Sequence, residues 1–273
     1  MTNVTNKLKL TLVNFITILF VFGFYSCEDD DDAQTPIVNP PVVSVPYQAT
    51  INFKHMVNDQ VLQMNLANKP YTNKMGQKFN VDRLRYLISD IEFVKADGNS
   101  FLIDEYHFVD ATIDSTLTFT PNTKVPSGIY TSIRFKFGFD TTDNIDRAYP
   151  ELTIANWDWP AMLGGGYHFM QLEGKYEDST GAEQVYKTHM GTARDMSTTP
   201  PTFEDNHFMA KPSASSIGIT SDFSFDIVMN IEQWYEDPVE WDFHKWNFPV
   251  MPIYEAQRAL NQNGPSVFSI KNQ

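Results

Sequence analysis

Residues 129–139 read Ile-Tyr-Thr-Ser-Ile-Arg-Phe-Lys-Phe-Gly-Phe. Ile129, Ile133, Phe135, Phe137 and Phe139 share one side of a two-residue period, and Ser132, Arg134 and Lys136 take the other. Successive side chains of a strand point to opposite faces, so this pattern predicts a strand with one face in the core. The same period starts at Tyr47, where Tyr47, Ala49, Ile51 and Phe53 alternate with Gln48, Thr50, Asn52 and Lys54. It returns in Phe223, Phe225, Ile227, Met229 and Ile231, set against Asp222, Ser224, Asp226 and Asn230. Two further runs, Tyr86–Val94 and Phe101–Val109, flank Ala96-Asp97-Gly98-Asn99, whose Asp-Gly suits a hairpin turn. Gly166–Tyr176 and Gln184–His189 read as another pair joined through Gly181. Leu84–Asp90 fits a helix or a strand, and Tyr254–Leu260 fits a short helix. Many short strands separated by turn signals predict an all-β, antiparallel β-sandwich, a single domain with few short helices.

The N-terminus does not belong to that domain. Lys7 and Lys9 precede an apolar stretch from Leu10 to Phe24, and no acid occurs before residue 28. A charged segment, a short apolar core and Ser26 before Cys27 predict a lipoprotein signal peptide over residues 1–26. The apolar stretch is shorter than the roughly 20 residues of a spanning helix. Phe24 stands where the usual lipobox has leucine. Cys27 is the single cysteine of the 273 residues, so it cannot close an internal disulfide, and lipid attachment accounts for its position. Glu28–Asp32 is an unbroken run of five acids. It resembles the acidic export tag of surface lipoproteins of the Bacteroidetes. That resemblance implies an outer membrane lipoprotein, facing the periplasm or the cell surface and joined to the membrane through its N-terminal lipid. Residues 27–46 then read as an acidic and proline-rich tether, and 47–273 as the folded domain.

The whole chain carries a formal charge of −14. Loss of residues 1–26 removes two lysines and no acid, which leaves −16. Such a surface repels phosphate backbones, so no nucleic-acid partner is expected. No nucleophile elbow, zinc-protease helix, phosphate-binding glycine loop or Cys-x-x-Cys occurs, and no nucleophile–base pair stands out. A binding protein rather than an enzyme is the expectation.

The uncommon residues are histidine, methionine and tryptophan. His55 falls by alternation on the apolar face with Ile51 and Phe53, which suits a hydrogen-bonded histidine at the edge of the core. His168 follows Gly164-Gly165-Gly166 and shares a face with Met170. His189 and Met190 stand where a strand runs into a loop. Imidazole and thioether together suit copper. His107 reads as structural, His207 as exposed, and His244 as part of an aromatic cluster with Trp241, Phe243 and Trp246. Trp157 and Trp159, one residue apart, read as core, a sugar-stacking platform or partners in redox chemistry, with core the default.

Phe53-Lys54-His55, Arg85–Ile91, Trp157-x-Trp159, Gly166-Tyr167-x-Phe169-x-x-Leu172-Glu173-Gly174 and His189-Met190-Gly191 occur in the order of the MbnP-like family, which the chain resembles from about Thr50 to Ile231. The resemblance implies a β-sandwich that binds one copper ion through histidines. His55 and His189 match the family's recurrent histidines, with His168 and Met190 as further candidate ligands. It also implies that a tryptophan oxidised to kynurenine contributes to the site, and that a di-haem cytochrome c peroxidase-like partner performs the oxidation. Trp157 and Trp159 match the family's tryptophan pair. A modified tryptophan two residues before the ligand His55 would fall at Phe53, which cannot become kynurenine. The expected function is therefore a cell-envelope lipoprotein that binds copper for uptake, storage or delivery. The alternative is a glycan-binding or adhesive surface lipoprotein, which would require tryptophans exposed on a flat face.

Overall fold

The structure is a computed structural model that describes residues 44–212 and 216–272. The signal peptide, Cys27 and most of the tether lie outside the described residues. The main strands are β1 Ala49–Val57, β2 Arg83–Val94, β3 Ser100–Asp110, β4 Ser132–Phe137, β5 Met170–Glu177, β6 Glu183–Met190, β7 Phe223–Asn230 and β8 Phe268–Asn272. Among the described residues two α-helices accompany them, α1 Pro150–Ile154 and α2 Tyr254–Asn263.

An eight-stranded sheet is built on β2, and a five-stranded sheet on β1 and β7. The two sheets pack through aromatic side chains. Tyr86 of β2 meets Phe53 and His55 of β1, Phe93 meets Phe223 and Phe225 of β7, and Phe135 of β4 meets Phe268 of β8. Each fully buried phenylalanine adds on the order of 1.5–3 kcal/mol, so these contacts fix how one sheet faces the other.

Most pairings are antiparallel, as the sequence predicts, and the hairpins β2–β3 and β5–β6 form where Asp97-Gly98 and Gly181 place their turns. Leu84–Asp90 resolves as strand within β2. Two details differ from expectation. Strands β1 and β7 pair in parallel, because the long connection between them returns the chain in the same direction. Ile129 is 70 % exposed and Tyr130 is buried in its place. Residues Gly128–Tyr130 pair with Ile217–Ile219 in a separate ribbon, and the chain changes partner before β4, so the period restarts at Ser132.

Strand β2 is long enough to serve two neighbours along one edge. β4 pairs with its residues Ile88–Val94 and β5 with Arg83–Tyr86, while β3 covers the other edge. The gap between β4 and β5 is closed by the backbone bonds Leu87 N to Phe169 O and Gly138 N to Leu87 O. The segment that carries His168 enters the sheet through this gap.

Candidate functional site

Residues opposite one another in a sheet point to the same face. Tyr86, Met170 and Met190 lie opposite one another across β2, β5 and β6, and Tyr86 faces the second sheet. Met190 is therefore interior, and it is fully buried. Arg85, Gln171 and His189 form the next row and point to the outer face. Side-chain contacts agree. Arg85 Nε donates to Gln171 Oε1 at 3.2 Å, and His189 Nε2 lies 2.8 Å from Glu173 Oε1.

His168 joins this outer row from a different direction. Trp157-Asp158-Trp159 runs antiparallel to Gly166-Tyr167-His168, held by Trp159 N to Gly166 O and His168 N to Trp157 O, both at 2.8 Å. The turn between them needs glycine. Gly166 has φ +78°, and a Cβ there would lie 2.2 Å from the Asn144 side chain. Asn144 accepts from Tyr167 N at 2.8 Å, and Asp146 accepts from Gly166 N, so the 140–147 loop pins the turn. The ring of His168 then rests against Trp157 at 5.4 Å and Trp159 at 4.9 Å, and meets the ring of His189 at 5.3 Å with an interplanar angle of 75°.

The two imidazoles are oriented by acceptors of different kinds. His168 Nδ1 lies 3.1 Å from the carbonyl oxygen of Trp157, an acceptor only, so Nδ1 carries the proton and Nε2 keeps the lone pair. Burial, reinforced by the charge of His189, pushes His168 down to about 3, which keeps it neutral near pH 7. His189 presents Nε2 to the Glu173 carboxylate, and this hydrogen bond holds Glu173 below the ordinary carboxylate value. A neutral His189 then has its lone pair on Nδ1. Two imidazoles on one ion, with metal–nitrogen bonds of about 2 Å, place their ring centres up to about 6 Å apart. The observed 5.3 Å fits that limit. Carboxylate and carbonyl acceptors behind histidines are the usual outer support of metal ligands. The pair therefore fits a copper ion, and the 12 % exposure of the His189 side chain leaves an approach from solvent.

The structure does not bring the other expected ligands into this site. His55 projects into the interior between the sheets, where its Nε2 lies 3.1 Å from the Tyr86 hydroxyl. Burial pushes it down to about 4. His55 and His189 thus lie on opposite faces of the large sheet, and the expectation that they share one ion is corrected. Met190 is separated from His189 in the same way, because adjacent residues of a strand face opposite sides. His107 stacks between Phe53 at 5.3 Å and Phe119 at 4.6 Å, with Nε2 2.8 Å from Thr116 O. His207 pairs with Asp205 at 2.6 Å and is half-buried, rather than exposed. His244 stands near Tyr176, at 5.9 Å, on the surface side of the C-terminal aromatic cluster.

Trp157 is fully buried and Trp159 is 2 % exposed. Trp159 donates from Nε1 to Leu163 O at 3.2 Å, and its ring leaves no room for a side chain at Gly191, where a Cβ would lie 2.5 Å away. Trp157 packs edge-on against Phe108 and under the Arg85 guanidinium. Its indole N–H has no hydrogen-bond partner among the described residues. Sequence reading missed Glu173, Gln171 and Arg85 as members of the site. Their two-residue period was visible, but which hairpin partner shares their face depends on register.

A family model, MbnP, matches residues 46–251. No curated protein sequence matches. Among solved structures the chain is similar to MbnP from Methylosinus trichosporium, with a TM-score of 0.54 and 14 % identity, over 85 % of this chain and 99 % of that one. At that identity the likeness shows a shared fold. The family match spans most of the β-sandwich and both histidines of the outer face, and the chain belongs to the MbnP family.

Proposed function

We propose that this protein is a cell-envelope lipoprotein that binds one copper ion on the outer face of its large sheet, with His168 and His189 as the protein ligands. Membership of the MbnP family associates the chain with copper and a periplasmic-type setting. The observation that carries the site is the 5.3 Å contact of two imidazoles, each oriented by its own acceptor. Bound copper would supply a redox-active or transferable ion. The residues supply two imidazole nitrogen donors, a carboxylate that raises the basicity of one of them, and a tryptophan wall that limits water on one side. Cys27, acylated after export, would hold the domain at the outer membrane for copper uptake, storage or delivery.

Trp157 and Trp159 flank His168, so kynurenine formed at either would stand beside the ion. Both are buried, and a di-haem peroxidase-like partner would meet little of their surface. The two-imidazole site does not require that modification. All five tryptophans of the chain are buried, which weighs against the glycan-stacking alternative.

The test is a copper titration of the mature chain produced without any haem partner, with Cu(I) read by a chelator competition and Cu(II) by calorimetry. One equivalent should bind. His168→Ala with His189→Ala should abolish stoichiometric binding, and His55→Ala should retain it. Binding that survives the double substitution, or that is lost in His55→Ala, would place the ion in the interior instead.

A further inference from the structure

Around Ser89–Ile91 the register between β2 and β3 shifts, and a cavity of about 480 Å³ opens beside the irregularity. Its lining includes four carboxylates, those of Asp90, Asp104, Glu105 and Asp143, and no basic side chain. Four aromatic rings complete most of the wall: Tyr106, Phe119, Phe139 and Tyr149. It shares no residue with the outer-face histidine site.

The four acids differ in what they already hold. Asp90 is ion-paired with Lys136, which also binds Asp140. Glu105 accepts from the backbone N–H groups of Asn122 and Thr123 at 3.0 and 2.8 Å. Among the described residues, Asp104 and Asp143 have neither a hydrogen-bond partner for their carboxylates nor an ion pair. Burial and the repulsion of Asp140 and Asp90 push Asp143 upward against the smaller pull of Lys136, so the chain compensates its negative charge only in part. Three of the four rings form one cluster, with Tyr106, Phe139 and Tyr149 in mutual contact at 4.8–5.3 Å.

This combination selects among ligands. An anion is repelled. A calcium ion needs six to eight oxygens, and here Lys136 already occupies two members of the Asp90, Asp140, Asp143 cluster. A neutral apolar ligand would leave two carboxylates desolvated without a counter-charge. A cation with an apolar body satisfies both parts of the wall, since aromatic faces attract cations and carboxylates pair with them. The volume lies within the range of small-molecule sites, about 300–1,000 Å³. We propose that this cavity binds a small organic ammonium ion, held by Asp104 and Asp143 against the aromatic wall of Tyr106 and Tyr149.

The probe is choline, and the control is its uncharged isostere 3,3-dimethyl-1-butanol, each titrated calorimetrically into the full chain. Choline should bind saturably at one site, and the isostere at least about tenfold more weakly. Asp104→Asn should weaken choline several-fold, and Asp104→Asn with Asp143→Asn by about tenfold or more. Asp104 is exposed, so its single substitution decides the matter even if the double variant does not fold. Equal binding of the isostere, unchanged binding in Asp104→Asn, no saturable choline binding, or calcium binding in place of choline would each overturn the proposal. Copper affinity plays no part in these readouts, so they stand or fall independently of the histidine site.

Discussion

Glu173 Oε1 sits 2.8 Å from His189 Nε2, across the β5–β6 hairpin and one step along from the directly opposed pair Gln171 and His189. The contact fixes which nitrogen of a neutral His189 carries the proton, and the ring lies 5.3 Å from that of His168. Register, rather than any local motif, creates it.

Removal of the Glu173 carboxylate should therefore weaken copper binding without removing a ligand. Glu173→Ala is expected to lower affinity by about 10- to 100-fold. Glu173→Gln should fall between it and the wild type, because the amide oxygen still accepts from Nε2–H. A chelator competition measures the order, and equal affinities for all three proteins would show that Glu173 does not support the site.

Gly191 is where the His-Met-Gly segment meets Trp159. A methyl group at this position would lie 2.5 Å from the indole, and that indole is held by its bond to Leu163 O. Gly191→Ala should cost about 1–3 kcal/mol in urea unfolding, the usual range for overpacking a filled core. It should also loosen copper binding, since Trp159 is one wall of His168.

Stability should fall with acid in a window set in part by His55. Its unfolded imidazole takes up a proton near the ordinary histidine value of 6.5, whereas the folded one does so at about 4 because burial opposes the charge. The folded pKa is depressed, so the contribution is complete above the unfolded value and is lost as pH falls toward the folded one. Each unit of difference amounts to about 1.4 kcal/mol. Urea midpoints of the copper-free protein between about pH 7 and about pH 5 should drop less steeply in His55→Gln than in the wild type. Parallel slopes would show that His55 does not titrate in this window.

Lipid attachment can be read directly because Cys27 is the chain's single cysteine. Cells fed an alkyne palmitate should label the wild-type protein and not Cys27→Ala. Labelling that persists in the variant would rule out Cys27 as the acceptor.

Much of the fold was legible in the chain because strand alternation is local geometry. Phe53, Phe135 and Phe225 lie inward as their period predicts, and Asp97-Gly98 turns the hairpin. The MbnP resemblance, carried by short segments, spans the same domain as the family match. Ile129 departed from its period because the strand partner changed within the run, which no local pattern records.

The candidate site was legible only in pieces. His168, His189, Trp157 and Trp159 were visible as unusual residues, but their association depends on the short ladder between Trp157–Trp159 and Gly166–His168 and on the β5–β6 register. A single strand shows which of its residues alternate, and so the sequence by itself determined most of the strands, the core face of most of them and the donor chemistry that the histidines offer. Tertiary structure alone decided which faces meet. It set His168 beside His189 on the outer face and left His55, inward as its own alternation predicts, on the opposite side with Met190, because pairing across strands, not order along one, sets which side chains share a side.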